Sequence, residues 1–428
     1  MKALLLAIVL QSWSLGECID YALEHNLSVR QGELGVQQKE ISLNTAKNRR
    51  LPGLAASASE NFSFGRGLTA DNTYSNANTT STSFQLGADL PLFQGFDIKN
   101  DIRQNELNLA AATADLEKAK DDIRVAVAQA YVQILYNQEL LEVARGQVAQ
   151  DSLLLERIEA MCEAGKASSA EVSAQKATLA QSHLNEVQAE GNLELALLDL
   201  SQLLELDSPE GFSVKAPSVE NLQVQLLMSP EEVFAEAVNI KPAIRSGQLK
   251  IDFAQAGIDR AKGAYLPSLS LSSGIGTNYY TNSRAPSAAF GDQLRNNFSQ
   301  YIGISLRVPI FSRMSTRNSV RTAELNLEGE KLQLETLRKT LYKEIQQAYY
   351  NAVNSQAQYR SSEQAARSAE ESLELVRAKY ETGKATSTEY NESRKRYLEA
   401  ESNFLQSRYR CLYQTKLIDF YRGVALDF

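Results

Sequence analysis

"EAGKASSAEV" occupies residues 163–172, and "ETGKATSTEY" occupies residues 381–390. Glu163 and Glu381, the Gly-Lys-Ala triplets beginning at Gly165 and Gly383, Ser169 and Ser387, and Glu171 and Glu389 all coincide at an offset of 218. Working outward, the echo continues. "RQGELGVQQKEISLNTAKNRRLPGL" (30–54) aligns with "RSGQLKIDFAQAGIDRAKGAYLPSL" (245–269) at an offset of 215. "LPLFQGFDIKN" (90–100) meets "VPIFSRMSTRN" (308–318), with the offset again 218. The length difference therefore arises between the Pro52/Pro267 pair and the Pro91/Pro309 pair. The chain is a tandem duplication of a unit of about 200 residues, and a repeat of that kind dictates the architecture.

Each unit has the same order: a helical segment ending at Leu-Pro, two strand-like runs, and two long helical patterns separated by a Gly-containing break. The spacing predicts a first repeat over 13–205, with a hairpin over 52–95 and helices over 97–160 and 169–205. A linker over 206–228 contains Pro209 and Pro217. A second repeat over 229–424 carries a hairpin over 266–312 and helices over 313–381 and 386–422, and a short tail, 425–428, follows. Pro52, Pro91, Pro267 and Pro309 mark the junctions between strand and helix. Residues 1–12, with Lys2 before the apolar run 3–10, read as the remnant of a signal peptide.

The strands are read from alternation. In "YIGISLRVPI" (301–310), Ile302, Ile304, Leu306, Val308 and Ile310 fall on one face, and Tyr301, Gly303, Ser305 and Arg307 on the other. In "SFQLGADLPL" (83–92), Phe84, Leu86, Ala88, Leu90 and Leu92 oppose Ser83, Gln85, Gly87 and Asp89. Period two with one apolar face marks a half-buried strand, and a soluble sheet shows it too. Two features favour a membrane barrel. The runs reach the length that spans a bilayer when tilted. Aromatics also gather at strand ends: Phe62, Phe64, Phe84, Tyr279, Tyr280 and Phe298 beside the turns, and Phe93, Phe96 and Phe311 at the other end, as in the girdles of such barrels. Four strands cannot close a barrel, and an open edge in lipid leaves backbone groups unsatisfied. Two chains would give a barrel filled by its own side chains; three would give one wide enough for a lumen.

The helical regions carry heptads. One seam runs Ile123, Val127, Ala130, Ile134, Asn137, Leu141, Ala144, Val148, Asp151, Leu155, Ile158, Cys162. Its counterpart runs from Leu341 through Ile345, Ala348, Ala352, Ser355 and Tyr359 to Tyr380. Sustained a/d spacing with small residues points to closely packed coiled coils. An uninterrupted helix over 97–160 would be about 95 Å long at 1.5 Å per residue.

Composition narrows the function. A net charge of −8 without a Lys/Arg cluster argues against nucleic acid as a partner. Two histidines and three cysteines, with no Cys-x-x-Cys or His-Glu-x-x-His, offer no zinc site. Cys162 and Cys411 fall on helix seams and read as free core thiols. Cys18 follows Glu17, where a lipoprotein signal wants a small residue. No nucleophile–base pair, metal cluster or phosphate loop is present, so neither an enzyme nor a cofactor is expected. The alternative to a channel is a soluble periplasmic coiled-coil adaptor or scaffold with an ordinary sheet.

The duplicated halves, the Leu-Pro junctions, the "PLF" and "PIF" junctions and the Gly breaks between long helices resemble the TolC family of outer-membrane efflux channels. The resemblance covers roughly residues 17–422. It implies an α+β membrane protein in which three copies share one 12-stranded barrel in the outer membrane, above a helical periplasmic tunnel. It implies a passive export duct of a tripartite efflux or type I secretion system, with a periplasmic adaptor, an inner-membrane pump and outer-membrane lipid as partners. The repeated decapeptides become helix-to-helix turns at the periplasmic tips, with Gly165, Lys166, Ala167, Gly383, Lys384 and Ala385 receiving the adaptor. By the same resemblance Glu389 and Glu392 line the entrance, and a hydrogen bond between Tyr380 and Glu171 ties it shut. A second tie in the family uses an Arg where this chain has Ala385.

Overall fold

The computed structural model describes residues 11–68, 73–208, 211–216, 227–284 and 286–427. The expected signal remnant therefore lies almost wholly outside the described residues, as does much of the linker. In chain order the first repeat comprises β1 (Gln11–Trp13), α1 (Leu15–His25), α2 (Leu27–Asn48), β2 (Gly53–Ser63), β3 (Arg66–Leu68), β4 (Tyr74–Asn76), β5 (Thr79–Gln94), α3 (Asp97–Glu163) and α4 (Ser169–Leu203). After β6 (Phe212–Val214) the second comprises α5 (Pro230–Ile240), α6 (Pro242–Gly263), β7 (Ser268–Asn282), α7 (Phe290–Asn296), β8 (Ser299–Arg307), α8 (Ser315–Glu381) and α9 (Ser387–Tyr421).

In the four paired helices the duplication is kept to the residue. α1 and α5 have 11 residues each, α2 and α6 have 22, α3 and α8 have 67, and α4 and α9 have 35. The single helix expected before each hairpin is two helices with a break. At the first break the Asn26 side chain accepts from the Ser28 amide and donates to the Leu203 carbonyl. At the second, Pro242 follows Lys241, whose extended ψ of 125° is what a following proline demands.

The described chain forms two compact units. The first comprises the described residues of 1–35, 113–246 and 334–428. Its core gathers Leu15, Cys18 and Ala22 of α1, Val127, Tyr131, Ile134 and Leu135 of α3, Leu200 of α4, and Tyr409, Leu412 and Phe420 of α9. β1 and β6 pair in parallel beside it. The Tyr131 hydroxyl donates to the carbonyls of Trp13 and Lys215. Burial pushes the Cys18 thiol up to about 12, so it behaves as a small hydrophobe. Cys411 is likewise buried, Cys162 is half-buried, and all three are free. The heptad seams pack as expected: Val127, Ile134, Leu141, Asp151 and Ile158 are buried in α3, and Ile345, Ala348, Ala352, Ser355 and Ala366 in α8.

The second unit comprises the described residues of 36–112 and 247–333. Its two hairpins merge into one antiparallel sheet in the order β2-β5-β7-β8. The register sorts the faces. Ala56, Leu86 and Ile275 lie opposite one another, as do Leu90, Leu271 and Ile304. The other face lines up Gly53, Asp89, Ser272 and Gly303 in one row and Ser57, Gln85 and Gly276 in another. Directly opposed residues share a face, so one side is mainly apolar, interrupted by Ser273, and the other mainly small and polar, with Tyr301 beside Gly274 and Gly87. β2 and β8 are edges. Between β7 and β8 stands α7 where β3 and β4 stand in the first repeat. That replacement is the segment in which the offset changes. Neither feature was expected from the polar turn sequences.

Pro91 corrects an expectation. It lies inside β5, three residues before the strand ends, where the register shifts between Pro91 and Phe93. Lacking an amide hydrogen, a proline sits in a sheet only at such an irregularity or an edge. The β2 ladder has already ended at Asp89. The true corners follow, and they match between repeats. Gly95 and Phe96 have φ of 58° and 65°, and Arg313 and Met314 have 52° and 65°. A Cβ on Gly95 would meet the Gly263 carbonyl oxygen at 2.2 Å, so that corner requires glycine on two counts. Asp97 and Asp101, in the first turns of α3, are held by Arg49 and Arg260 at 2.7–2.8 Å. No described helix is long and apolar enough to cross a membrane.

Candidate functional site

The two decapeptides are the connections α3–α4 and α8–α9. In each, the chain leaves one helix through a left-handed glycine, Gly165 at φ 70° and Gly383 at φ 73°. The Gly165 amide donates to Cys162 O and the Lys166 amide to Met161 O; the Gly383 amide donates to Tyr380 O and the Lys384 amide to Lys379 O. This is a Schellman ending, which satisfies carbonyls the helix leaves orphaned. The next helix begins at once. Ser168 caps α4 and Thr386 caps α9, each accepting from the residue three further on. Glu171 and Glu389 reach back to the cap amides at 2.7 Å. These are reciprocal capping boxes. Each tip thus reverses the chain in five residues and leaves Gly165, Lys166, Gly383 and Lys384 exposed and Ala167 and Ala385 half-exposed.

The expected tie between Tyr380 and Glu171 is not made. Glu171 accepts from the amide and the hydroxyl of Ser168 instead. That bond belongs to the capping box that starts α4, three residues back along the same chain. Tyr380 stacks on Tyr390 at 5.2 Å between ring centroids. Burial, and then the charge of Glu171, raises the Tyr380 phenol above its ordinary value. A cavity of about 210 Å³ lies beside this stack, bounded by Leu153, Leu154, Arg157 and Arg377.

Glu389 and Glu392 are both exposed and share a face of α9. Glu389 accepts from the Thr386 amide and hydroxyl, which holds its pKa below the usual carboxylate value. Glu392 pairs with Arg396 at 2.6 Å. The strand-to-helix prolines belong to the sheet unit and have no part in the tips.

The sequence reading missed a buried polar cluster on these same helices. Asp151 is fully buried, and both its carboxylate oxygens accept from the Arg394 guanidinium. Gln147, Gln175 and Ser182 also donate to it. The signal was present: Asp151 stands on an apolar heptad seam, and a charge there demands a partner. Further along, Arg408 and the Tyr409 hydroxyl both donate to Glu139. Among the described residues no group of His, Cys, Asp or Glu is arranged to hold a metal.

Comparison with known proteins gives one answer. The model of the family described as "Outer membrane efflux protein" matches residues 18–205 and 233–418. The chain is 26% identical to the outer membrane protein TolC of Escherichia coli K12 over 81% of this chain and 71% of that one. It is 22% identical to the proteases secretion protein PrtF of Dickeya chrysanthemi over 96% and 90%. Among solved structures, the open-state MtrE outer membrane channel of Neisseria gonorrhoeae superposes with a TM-score of 0.76 at 20% identity, covering 99% of this chain and 93% of that one. The CmeC outer membrane channel of Campylobacter jejuni gives 0.78 at 19% identity, covering 96% and 86%.

Proposed function

The chain belongs to the outer membrane efflux protein family, and on that premise we propose that three copies close one shared 12-stranded barrel and that the helix tips receive a periplasmic adaptor fed by an inner-membrane pump. The protein is an outer-membrane channel of an efflux or secretion system, with its long helices in the periplasm. Its family is made of channel proteins.

The observation that carries the proposal is the sheet. One chain supplies to this sheet four strands with two open edges, β2 and β8, and one mainly apolar face. In lipid every backbone group has to be paired, so the edges of one copy need those of another. The small polar face, Gly53, Ser57, Gln85, Asp89, Ser272 and Gly276, then lines a lumen, and Leu86, Leu271, Ile275 and Ile304 meet lipid.

The tips support docking because they are rigid and small. Both ends of each turn are capped, and exposed glycine and alanine let another helix pair approach closely. Glu389 and Glu392 on one exposed face of α9 suit the lining of the entrance. The duct itself is passive, and the pump sets the cargo. Washing membranes with alkaline carbonate or urea tests the placement: a barrel stays in the membrane pellet, and release into the supernatant would contradict it.

A further inference from the structure

The distal halves of α4 and α9, next to the tips, have almost no apolar core of their own. The buried residues of α4 are Gln175, Ser182, Ala196, Leu200 and Ser201. Those of α9 are Ser393, Arg394 and then nothing until Leu405. The buried side chains of distal α4 are therefore Gln175 and Ser182, and both donate to Asp151. The one large buried side chain of distal α9 is Arg394, and it too is held by Asp151. One carboxylate on α3 thus collects every buried side chain with which the two neighbouring helices approach it near the tips, Ser393 alone excepted.

The direction of Arg394 matters. Glu389, Glu392 and Arg396 follow one another at steps of three and four and share a face of α9. Arg394 is two residues from Glu392 and five from Glu389, which places it on the opposite face. Apolar packing tolerates rotation and sliding of a helix, whereas two parallel N–H···O bonds from a guanidinium to a carboxylate fix an angle. The cluster has no counterpart in the other repeat: the positions matching Asp151 and Arg394 are Ala369 and Lys176. Lys176 is exposed and pairs with Glu159 instead.

We propose that Asp151 is a positioning hub that sets the rotational phase of distal α9, so that the face bearing Glu389 and Glu392 points away from α3 and α4. For its consequence in the channel this rests on the reading of those carboxylates as the entrance lining; the rotational claim itself does not.

The test uses full-length protein in detergent, with Cys18, Cys162 and Cys411 replaced by alanine and a single cysteine at Glu392 or at Ser393. A charged maleimide labels Glu392→Cys and spares Ser393→Cys in the otherwise unchanged protein. Replacing the pair by apolar volume, Asp151→Leu with Arg394→Met, keeps the packing and removes the angle. The expected result is loss of the labelling difference between the two sites, and the same loss, smaller, in Asp151→Asn. An unchanged labelling pattern in the assembled apolar variant would overturn the proposal, because packing alone then sets the phase. Failure of both variants to assemble would also overturn it, making the cluster a folding element. If Glu389→Gln with Glu392→Gln leaves ion selectivity unaltered, the entrance reading fails while the rotational result stands.

Discussion

Gly165 and Gly383, at matched positions of the two repeats, share a left-handed backbone, and at neither does anything lie within 4 Å of where a Cβ would sit. The penalty for a side chain there is therefore dihedral alone. Gly383→Ala should weaken the tip by roughly 1–2 kcal/mol, the cost of an L-residue in this region, and leave the assembled oligomer intact. Gly95→Ala should cost several-fold more, because its Cβ also collides with the Gly263 carbonyl. Thermal denaturation of the two variants checks this; equal midpoints would show that the corner yields.

The two faces of β8 make a second prediction. Ile304 stands in a row with Leu90 and Leu271. Ile304→Arg near the bilayer midplane should cost about 2–4 kcal/mol and deplete assembled protein in the membrane. Ser305→Arg, on the polar face, should assemble normally. Immunoblots of membrane fractions for the two variants decide it, and reversed yields would reverse the faces.

Much of this fold was legible because duplication gives two readings of each element. A left-handed glycine between two heptad patterns located both tips, and alternation located all four strands of the main sheet. Long-range polar pairing was not legible. Nothing in the sequence says that Asp151 meets Arg394, 243 residues away. The capping boxes were legible and were passed over: Ser168-x-x-Glu171 and Thr386-x-x-Glu389 carry the signature, and the resemblance drew both carboxylates towards other roles. α7 and the β3–β4 hairpin lie in polar turns without periodicity, so sequence pattern gave them no support.

Acid should loosen the second tip. The Thr386 amide and hydroxyl bond Glu389 and depress its pKa from an ordinary 4.5. A carboxylate with a depressed folded pKa contributes stability that is fully present above the unfolded value and is lost as pH falls through the folded one. Hydrogen exchange at the Thr386 amide, which donates to Glu389, should therefore speed up below pH 4.5 beyond the change in intrinsic rate. Glu389→Gln should remove that step. A step that persists in the variant would place the titrating group elsewhere.

As the lining proposed for the entrance, Glu389 and Glu392 should not be equivalent. Rings of carboxylates favour cations, but Glu392 is already paired with Arg396. Glu389→Gln should lower cation selectivity in planar bilayers more than Glu392→Gln does, and Arg396→Gln should raise it. Reversal potentials in a salt gradient measure all three, and no change in any of them would place the constriction elsewhere.

The most direct test of the central claim is the number of chains in the functional pore. Four strands with two open edges in each chain require partners before a barrel can form. Native mass spectrometry of detergent-extracted protein, paired with conductance of the same fraction, should give three chains per conducting particle and no conductance from single chains. A monomer that conducts would contradict the shared barrel and the account built on it.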